Sequence, residues 1–236
     1  MKVAENNPLL PLRWAGKDWV LDSRRVLLLP SAKILFVADL HFGYYATLRS
    51  QGSYLPTYDR EVVVPVLVDL VSTYNDYHWV VVGDLKHSHE HWDHLNRDER
   101  QELLKSLQPL QQVSQLTVLV GNHDKGVAEV LRECGVVAEV QQRYEGGGIA
   151  ATHALPPDQT NCPLLLVGHV HPVFQPPRFP RMPVFAFGQH HILLPAFNPV
   201  AGGYPVWKVY ADQWHLWGIL PGHVQPLGPL EAWRNC

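Results

Sequence analysis

Five short apolar runs of this chain each end in polar side chains that are able to bind metal ions. These polar ends are Asp39-Leu40-His41, Gly83-Asp84, Gly121-Asn122-His123-Asp124, His153 and Gly168-His169-Val170-His171. In open α/β sheets, ligands bind beyond the carboxyl ends of the strands. We therefore expect five strand ends, far apart in sequence, to converge on one site.

The order of apolar and helical patterns predicts an α/β fold. We expect strands over 19–29, 33–38, 79–82, 116–120, 149–152 and 164–167, and helices over 58–74, 98–108 and 126–133. Prolines crowd residues 172–183, and short strands are expected after them near 184–187, 191–194, 205–210 and 214–219. Strand–helix alternation followed mainly by strands predicts a single domain over 1–236, with two packed sheets flanked by helices.

Composition and charge narrow the classes of function. The 236 residues carry a formal net charge of −3 at pH 7, so the chain lacks the basic surplus of a protein that wraps nucleic acid non-specifically. The three cysteines have no CxxC spacing, which favours reduced thiols in the cytoplasm over a disulfide framework or a zinc ribbon. We expect no secretory signal and no membrane partner, because no apolar run is long enough to span a bilayer.

The polar strand ends combine carboxylate and imidazole, which predicts a centre of two divalent transition-metal ions. Manganese is favoured, with iron, zinc, cobalt or nickel as alternatives, whereas Mg²⁺ or Ca²⁺ would call for oxygen ligands almost exclusively. Two cations about 3.5–4 Å apart need an anionic ligand that bridges them. Asp84 is the best candidate, because it stands alone after its strand and Gly83 gives the backbone room.

Such a centre suits hydrolysis of a phosphate ester. Two cations lower the pKa of a bound water, so that a hydroxide is available to attack phosphorus near neutral pH. His123 suits the role of the acid that protonates the leaving oxygen, and Asp124 is placed to orient it or to support it electrostatically. Taken singly, an Asp after a strand is often only a turn residue or an N-cap. The ordered combination, with His153 between the last two motifs, makes accident improbable.

Further side chains near these motifs are candidates for substrate contact. Lys86 and His87 follow Asp84 closely, and we expect them to meet substrate oxygens. Arg49 follows the first motif and is expected to line the pocket. A second histidine cluster has two open interpretations, a site for metal or substrate phosphate and, more often, a solvated loop or helix start; its members are His87, His89, His91 and His94.

The full series of motifs resembles the calcineurin-like metallophosphoesterase superfamily over roughly residues 20–200. The resemblance implies a four-layer sandwich of two central mixed β-sheets flanked by helices. It implies one metal held by Asp39, His41 and His171 and a second held by Asn122, His153 and His169. It also implies that Asp84 bridges the metals and that His123 is a catalytic histidine that binds neither of them.

Three segments resemble a narrower family, the ligase-associated DNA damage response endonucleases. They are Asp39-Leu40-His41-Phe42-Gly43, Gly83-Asp84-Leu85-Lys86-His87-Ser88, and Leu194-Pro195-Ala196-Phe197 followed by Gly202-Gly203. This resemblance implies hydrolysis of phosphodiesters, with phosphomonoesters as an alternative. It also implies DNA ends or single-stranded DNA as substrates, and association with DNA ligase and helicase in DNA repair. The mildly acidic net charge keeps a small nucleotide diester open as an alternative substrate.

Two further expectations concern partners. The alternative to an enzyme is a non-catalytic metal-containing module that binds nucleic acid or a protein partner, and the intact His123 argues against it. The apolar tail, with Trp207, Trp214 and Trp217, is expected either to cover a sheet or to form the face of a homodimer.

Overall fold

The computed structural model describes residues 7–56, 58–156, 164–176, 180–209 and 213–233. The first sheet contains Leu9–Trp14 (β1), Lys17–Asp22 (β2), Val26–Leu29 (β3), Ile34–Val37 (β4), His78–Val82 (β5), Gln115–Leu119 (β6) and Glu139–Gln141 (β7). The second contains Arg143–Gly146 (β8), Ile149–Thr152 (β9), Leu165–Val167 (β10), Pro172–Phe174 (β11), Met182–Phe187 (β12), His191–Leu193 (β13), Tyr204–Pro205 (β14), His215–Leu220 (β15) and His223–Pro229 (β16). The α-helices are Tyr44–Ser50 (α1), Val64–Tyr74 (α2), Arg97–Leu107 (α3) and Val127–Glu133 (α4).

Both sheets are mixed. In the first, strands follow one another in chain order, antiparallel from β1 to β4 and parallel from β4 to β7. In the second, the order is β14-β11-β12-β13-β10-β9-β8, and β9, β10 and β13 run parallel. β15 pairs with β12, and β16 pairs with β15. The predicted α/β fold with two mixed sheets is therefore confirmed.

The two sheets pack face to face over a shared apolar core. In the β4 segment, Phe36 and Ala38 belong to this core, whereas Leu35 and Val37 belong to the core on the opposite face. Successive side chains of a strand alternate between faces, so a strand covered on both sides is apolar at every position. This explains why the strands that precede the polar motifs are continuous apolar runs.

The outer faces of the two sheets are covered differently. Helices α2, α3 and α4 cover the first sheet through Leu67, Leu103 and Val130. Within the described residues, the outer face of the second sheet packs against Val206 and Leu230, which lie in the short 3-10 helices Val206–Lys208 and Leu230–Trp233.

Particular residues mark the starts of α3 and α2. Asn96 caps α3, because its side chain accepts from the backbone of Glu99 while the Glu99 carboxylate accepts from the backbone of Asn96. Pro65 lies in the first turn of α2, and the π-helical turn Asp59–Val63 runs into this helix without a break, because Val63 and Val64 both have right-handed helical φ and ψ.

Some predicted elements differ from the structure. The expected strand over 19–29 is two strands, because residues 23–25 form a turn in which Arg25 has a φ of 69°. The expected strand over 205–210 ends at Pro205 and continues as a 3-10 helix, and position 210 lies outside the described residues. Several elements had no prediction; they are β1, α1, β7, β8, β11 and β16. Among the helices that the structure describes, none has the length and apolar character needed to cross a membrane.

Candidate metal centre

The predicted convergence of the five strand ends is present in the structure. β4, β5 and β6 are parallel neighbours in the first sheet, and β9 and β10 are parallel neighbours in the second. Their carboxyl ends carry all seven side chains proposed as metal ligands, in the order Asp39, His41, Asp84, Asn122, His153, His169 and His171. The site therefore lies where the edges of two packed sheets meet.

The backbone is strained at these positions. A positive φ is unusual for any residue other than glycine, and such strain concentrates at functional sites. Eight non-glycine residues of the described chain have a positive φ, and five of them are proposed ligands: Asp39, His41, Asp84, His169 and His171. Two glycines give the loops room: a Cβ at Gly83 would collide with the imidazole of His153, and one at Gly121 with the carboxylate of Asp84.

The first group of donors gathers around Asp39. Asp39, His41, Asp84 and His171 each offer one ligand atom, and all of these atoms lie within 4.8 Å of one another. The Nε2 of His171 lies 3.4 Å from the Oδ1 of Asp39 and 3.3 Å from the Nε2 of His41. His171 is held in place by its Nδ1, which contacts the backbone carbonyl of Ala201 at 3.1 Å.

The second group of donors shares Asp84 with the first. Asp84, His153 and His169 offer ligand atoms that also lie within 4.8 Å of one another. The Nε2 of His153 lies 3.4 Å from the Oδ2 of Asp84 and 3.1 Å from the Nδ1 of His169. Asn122 joins this group, since its Oδ1 lies 2.9 Å from the same Nε2 of His153. The division into two groups around one common carboxylate matches the arrangement implied by the resemblance, and the ligand roles stay predictions.

The chemistry of these side chains fits bound cations. Asp39 and Asp84 are 0% and 2% exposed, and no lysine or arginine of the described chain lies within 4 Å of either carboxylate. Buried carboxylates need a compensating charge. Burial, reinforced by the neighbouring histidines, lowers the pKa of His41 to about 2, so its imidazole is in the neutral form that a metal requires.

His123 lies beside both groups. Its backbone N–H donates to the Oδ1 of Asp84 over 2.9 Å, and its ring centroid is 4.8 Å from that of His41. Its Nδ1 contacts the backbone carbonyl of His87. Because a carbonyl only accepts, this nitrogen is the donor, and Nε2 is left to exchange a proton with a substrate.

The prediction that Asp124 orients the ring of His123 is wrong, because its carboxylate oxygens accept from backbone N–H groups instead, and its electrostatic support of His123 stays a prediction. Its Oδ2 accepts from the backbone N–H of Gly121 over 2.9 Å, and its Oδ1 accepts from that of Leu85 over 2.9 Å. The carboxylate is buried, and this burial raises its pKa to about 6. Asp124 therefore connects the loop after β5 to the loop after β6, and the group that orients His123 is a backbone carbonyl.

The expectation that Lys86 and Arg49 face the substrate is corrected by the structure. Lys86 is 0% exposed, and its Nζ donates to the backbone carbonyls of Ser88, Glu90 and His123. Arg49 lies at the end of α1, where its Nε donates to Asp98 over 2.8 Å. In both cases, the cation is committed to contacts within the protein.

The rings of His87 and His89 both lie against the ring of His123. A solvated loop does not predict either contact. The ring of His87 is 5.1 Å from that of His123 and 4.5 Å from that of Tyr44, and the role of His87 in substrate contact stays a prediction. The ring of His89 stacks on His123 at 3.8 Å. No signal in the sequence separates His89 from its neighbours His91 and His94, since the loop fold alone decides which imidazole returns to the site.

A separate cavity of about 560 Å³ lies away from this centre. Its lining includes Arg24, Arg25 and Phe197, and none of the seven proposed ligands contributes to it. The cavity volume is therefore no guide to the chemistry of the centre.

Two mixed sheets with a histidine and carboxylate centre at their meeting edges form the arrangement expected of a metallophosphoesterase. A model of the calcineurin-like phosphoesterase family matches residues 32–228. The match spans most of the chain, and the protein belongs to the calcineurin-like phosphoesterase family. This membership supports a hydrolase that depends on divalent metal ions.

Two solved structures are similar to this chain to different degrees. The crystal structure of Pseudomonas putida nuclease MPE matches with a TM-score of 0.67 at 22% sequence identity, covering 93% of this chain and 100% of that chain. A protein of unknown function from Aquifex aeolicus matches with a TM-score of 0.38 at 19% identity, covering 58% of this chain and 78% of that chain. Among curated proteins, none matches the chain.

Proposed function

We propose that this protein is a phosphodiesterase that uses two divalent transition-metal ions, favouring manganese, and that its substrates are DNA ends or single-stranded DNA. The observation that carries the proposal is the position of Asp84, which belongs to both groups of metal donors. The similarity in fold to a nuclease and the resemblance to the DNA damage response endonucleases support the choice of substrate.

In this proposal, one cation would be held by Asp39, His41 and His171, and the other would be held by Asn122, His153 and His169. The bound cations would neutralise charge on the phosphoryl oxygens and lower the pKa of a water that serves as nucleophile.

The protein's own residues handle the leaving group. His123 donates a proton from Nε2 to the leaving oxygen, while its Nδ1–H stays bonded to the His87 carbonyl. The imidazole of His87 contacts a phosphate oxygen of the substrate. Lys86 and Asp124 hold the two loops so that this geometry is in place before substrate binds.

The test compares bis-p-nitrophenyl phosphate with p-nitrophenyl phosphate in the presence of Mn²⁺. We expect the diester to turn over faster, and we expect a chelator to stop turnover and to lower Tm, because Asp39 and Asp84 lose their compensating charge. Hydrolysis of neither ester with any transition metal would contradict the proposal. Metal-loaded protein that binds DNA without cleaving it would favour the non-catalytic module instead.

The bridging role has its own test in metal content, measured by mass spectrometry of the purified protein. Asp84→Asn should reduce the binding of both ions, whereas His153→Ala should reduce the binding of one. Asp93→Asn is the matched control, because Asp93 is an exposed aspartate of the 3-10 helix Trp92–His94. Two ions retained by Asp84→Asn would sink the idea of a shared ligand. Association with DNA ligase and helicase, a cytoplasmic location and a homodimer stay predictions.

A further inference from the structure

Two exposed aromatic side chains lie close together in sequence beside the metal centre. Tyr204 and Trp207 are 48% and 42% exposed. Single exposed aromatic residues need no explanation in a soluble protein. These two are only three residues apart and have cationic neighbours. We call Arg181, Tyr204, Trp207 and Lys208 the aromatic platform.

The platform is joined directly to a proposed metal ligand. The backbone N–H of Tyr204 donates to the carbonyl of His171 over 3.0 Å and to that of Val170 over 3.3 Å. Strand β14, which begins at Tyr204, pairs with β11, which begins directly after His171. Tyr204 is therefore paired with Pro172, the residue that directly follows the proposed ligand His171.

The platform is anchored rather than loose. Trp207 packs edge-on against Phe174, with ring centroids 6.3 Å apart, and Phe174 is only 2% exposed. Between the two platform aromatics, Val206 is fully buried in the core of the second sheet. An aromatic ring that is already held loses little entropy when a ligand stacks on it.

Cations accompany the aromatic rings. The Nζ of Lys208 lies 6.0 Å from the ring centroid of Tyr204. Arg181 is exposed. Its Nη2 lies 3.3 Å from the position that a Cβ at Gly203 would take, and the carbonyl of His171 is close to the same position. On a chain with a net charge of −3, such local cations decide where a polyanion binds.

We propose that the aromatic platform binds an unpaired DNA strand next to the phosphodiester that is cleaved, an inference that rests on the proposed function. One or two bases stack on Tyr204 and Trp207, and Arg181 and Lys208 pair with the phosphates between them. A paired base has its faces covered by its neighbours in the duplex, whereas an unpaired base offers a free face to an aromatic side chain. The platform therefore selects single strands over duplex.

The experiment measures the binding of a fluorescent oligothymidylate to the metal-loaded His123→Ala protein by anisotropy. Base–aromatic stacking is worth about 1–3 kcal/mol per base, so Tyr204→Ala and Trp207→Ala should each weaken binding roughly 5-fold to 150-fold. Tyr204→Phe should restore most of the affinity. Tyr54→Ala is the matched control, because Tyr54 is fully exposed and lies in the loop after α1. It should leave binding unchanged.

A second measurement separates the platform from the proposed function. With His123 intact, the Tyr204→Ala/Trp207→Ala protein should show a much larger rise in KM with oligothymidylate than with bis-p-nitrophenyl phosphate, because the small diester has no neighbouring bases to stack on the platform. Unchanged oligothymidylate binding by this variant, or equal binding of single strand and duplex by the parent, would overturn the platform. A parent protein that hydrolyses no ester would overturn the proposed function, and the binding comparison would still decide on the platform.

Discussion

Lys86 donates a hydrogen bond from its Nζ to the backbone carbonyl of His123 over 2.8 Å. The same ammonium group also donates to the carbonyls of Ser88 and Glu90, and the side chain is completely buried. The contact joins the loop that carries Asp84 to the loop that carries Asn122 and His123. Lys86 is therefore a positioning residue that connects two parts of the centre.

Replacing Lys86 with Met should weaken both stability and turnover. Three carbonyls lose a donor, and the contact to Ser88 is buried. A buried group without a partner costs about 1–3 kcal/mol, so we expect the free energy of unfolding to fall by about that amount. Turnover should fall about tenfold at unchanged KM, because His123 is no longer held. Denaturant unfolding and kinetics at saturating Mn²⁺ measure the two effects.

Lys105→Met is the control for this change, since Lys105 is an exposed lysine of α3. It should alter neither quantity. A Lys86→Met protein that is less stable but has normal kcat would show that the residue is structural only.

His123→Ala should affect substrates according to their leaving groups. General acid catalysis typically contributes ~10²–10⁴-fold, and it matters most when the leaving oxygen is strongly basic. We therefore expect a thymidine dinucleotide to lose that full factor in kcat, and bis-p-nitrophenyl phosphate to lose far less. Metal content should stay at the parent level, because His123 is not among the proposed ligands.

The control for this prediction is His94→Ala, an exposed histidine of the same histidine-rich loop. It should behave like the parent with both substrates. Equal losses with the two substrates would argue that His123 acts in some way other than protonating the leaving oxygen.

The sequence predicts the parts of the centre that depend only on residues adjacent in the chain. An apolar run followed by Asp or His can be identified without knowledge of the fold, and parallel pairing then brings the ends of β4, β5 and β6 to one edge. The same logic works for His153 and His169 on the second sheet. Strands that lack this change from an apolar run to a polar end were not predicted. One of them is the edge strand β1, in which Pro11 interrupts the apolar pattern.

The misassigned residues have partners that sequence does not reveal. A lysine is almost never fully buried, so the sequence predicts that a lysine close to Asp84 faces the substrate. Only the folded loops show that Lys86 lies among three carbonyls. The partner of Arg49, Asp98, lies 49 residues away on α3. Asp124 is adjacent to His123 in sequence, but the turn after β6 directs its carboxylate to the backbone of Leu85 instead.

Removing Arg24 should destabilise the protein strongly. Asp22 has a fully buried side chain, and it accepts hydrogen bonds from the Nε and Nη2 of Arg24. Breaking a buried pair leaves an uncompensated charge, so Arg24→Ala should lower the free energy of unfolding by about 3 kcal/mol. Arg13→Ala is the matched control: Arg13 and Asp18 are 68% and 75% exposed, and the loss should be below about 1 kcal/mol. Similar losses for the two variants in denaturant unfolding would contradict this account.

Cys134 should be nearly unreactive in the folded protein. Burial raises the pKa of its thiol from 9.0 to about 12, so near pH 8 it has roughly 10³-fold less thiolate than an ordinary cysteine. In a Cys162→Ser/Cys236→Ser variant, which retains Cys134 alone, we expect iodoacetamide to react at least that much more slowly with the folded chain than with the unfolded one. Equal rates would contradict the burial of the thiol.

The same shift in pKa predicts how stability depends on alkaline pH. Between about 9 and about 12, the unfolded chain releases the Cys134 proton while the folded chain retains it, so the folded state binds more protons. Stability must therefore fall as pH rises through this range. Cys134→Ala removes the titrating group, and in denaturant unfolding above pH 9 its free energy of unfolding should fall less steeply with pH than that of the parent. Parallel slopes for the two proteins would show that other groups account for the alkaline loss.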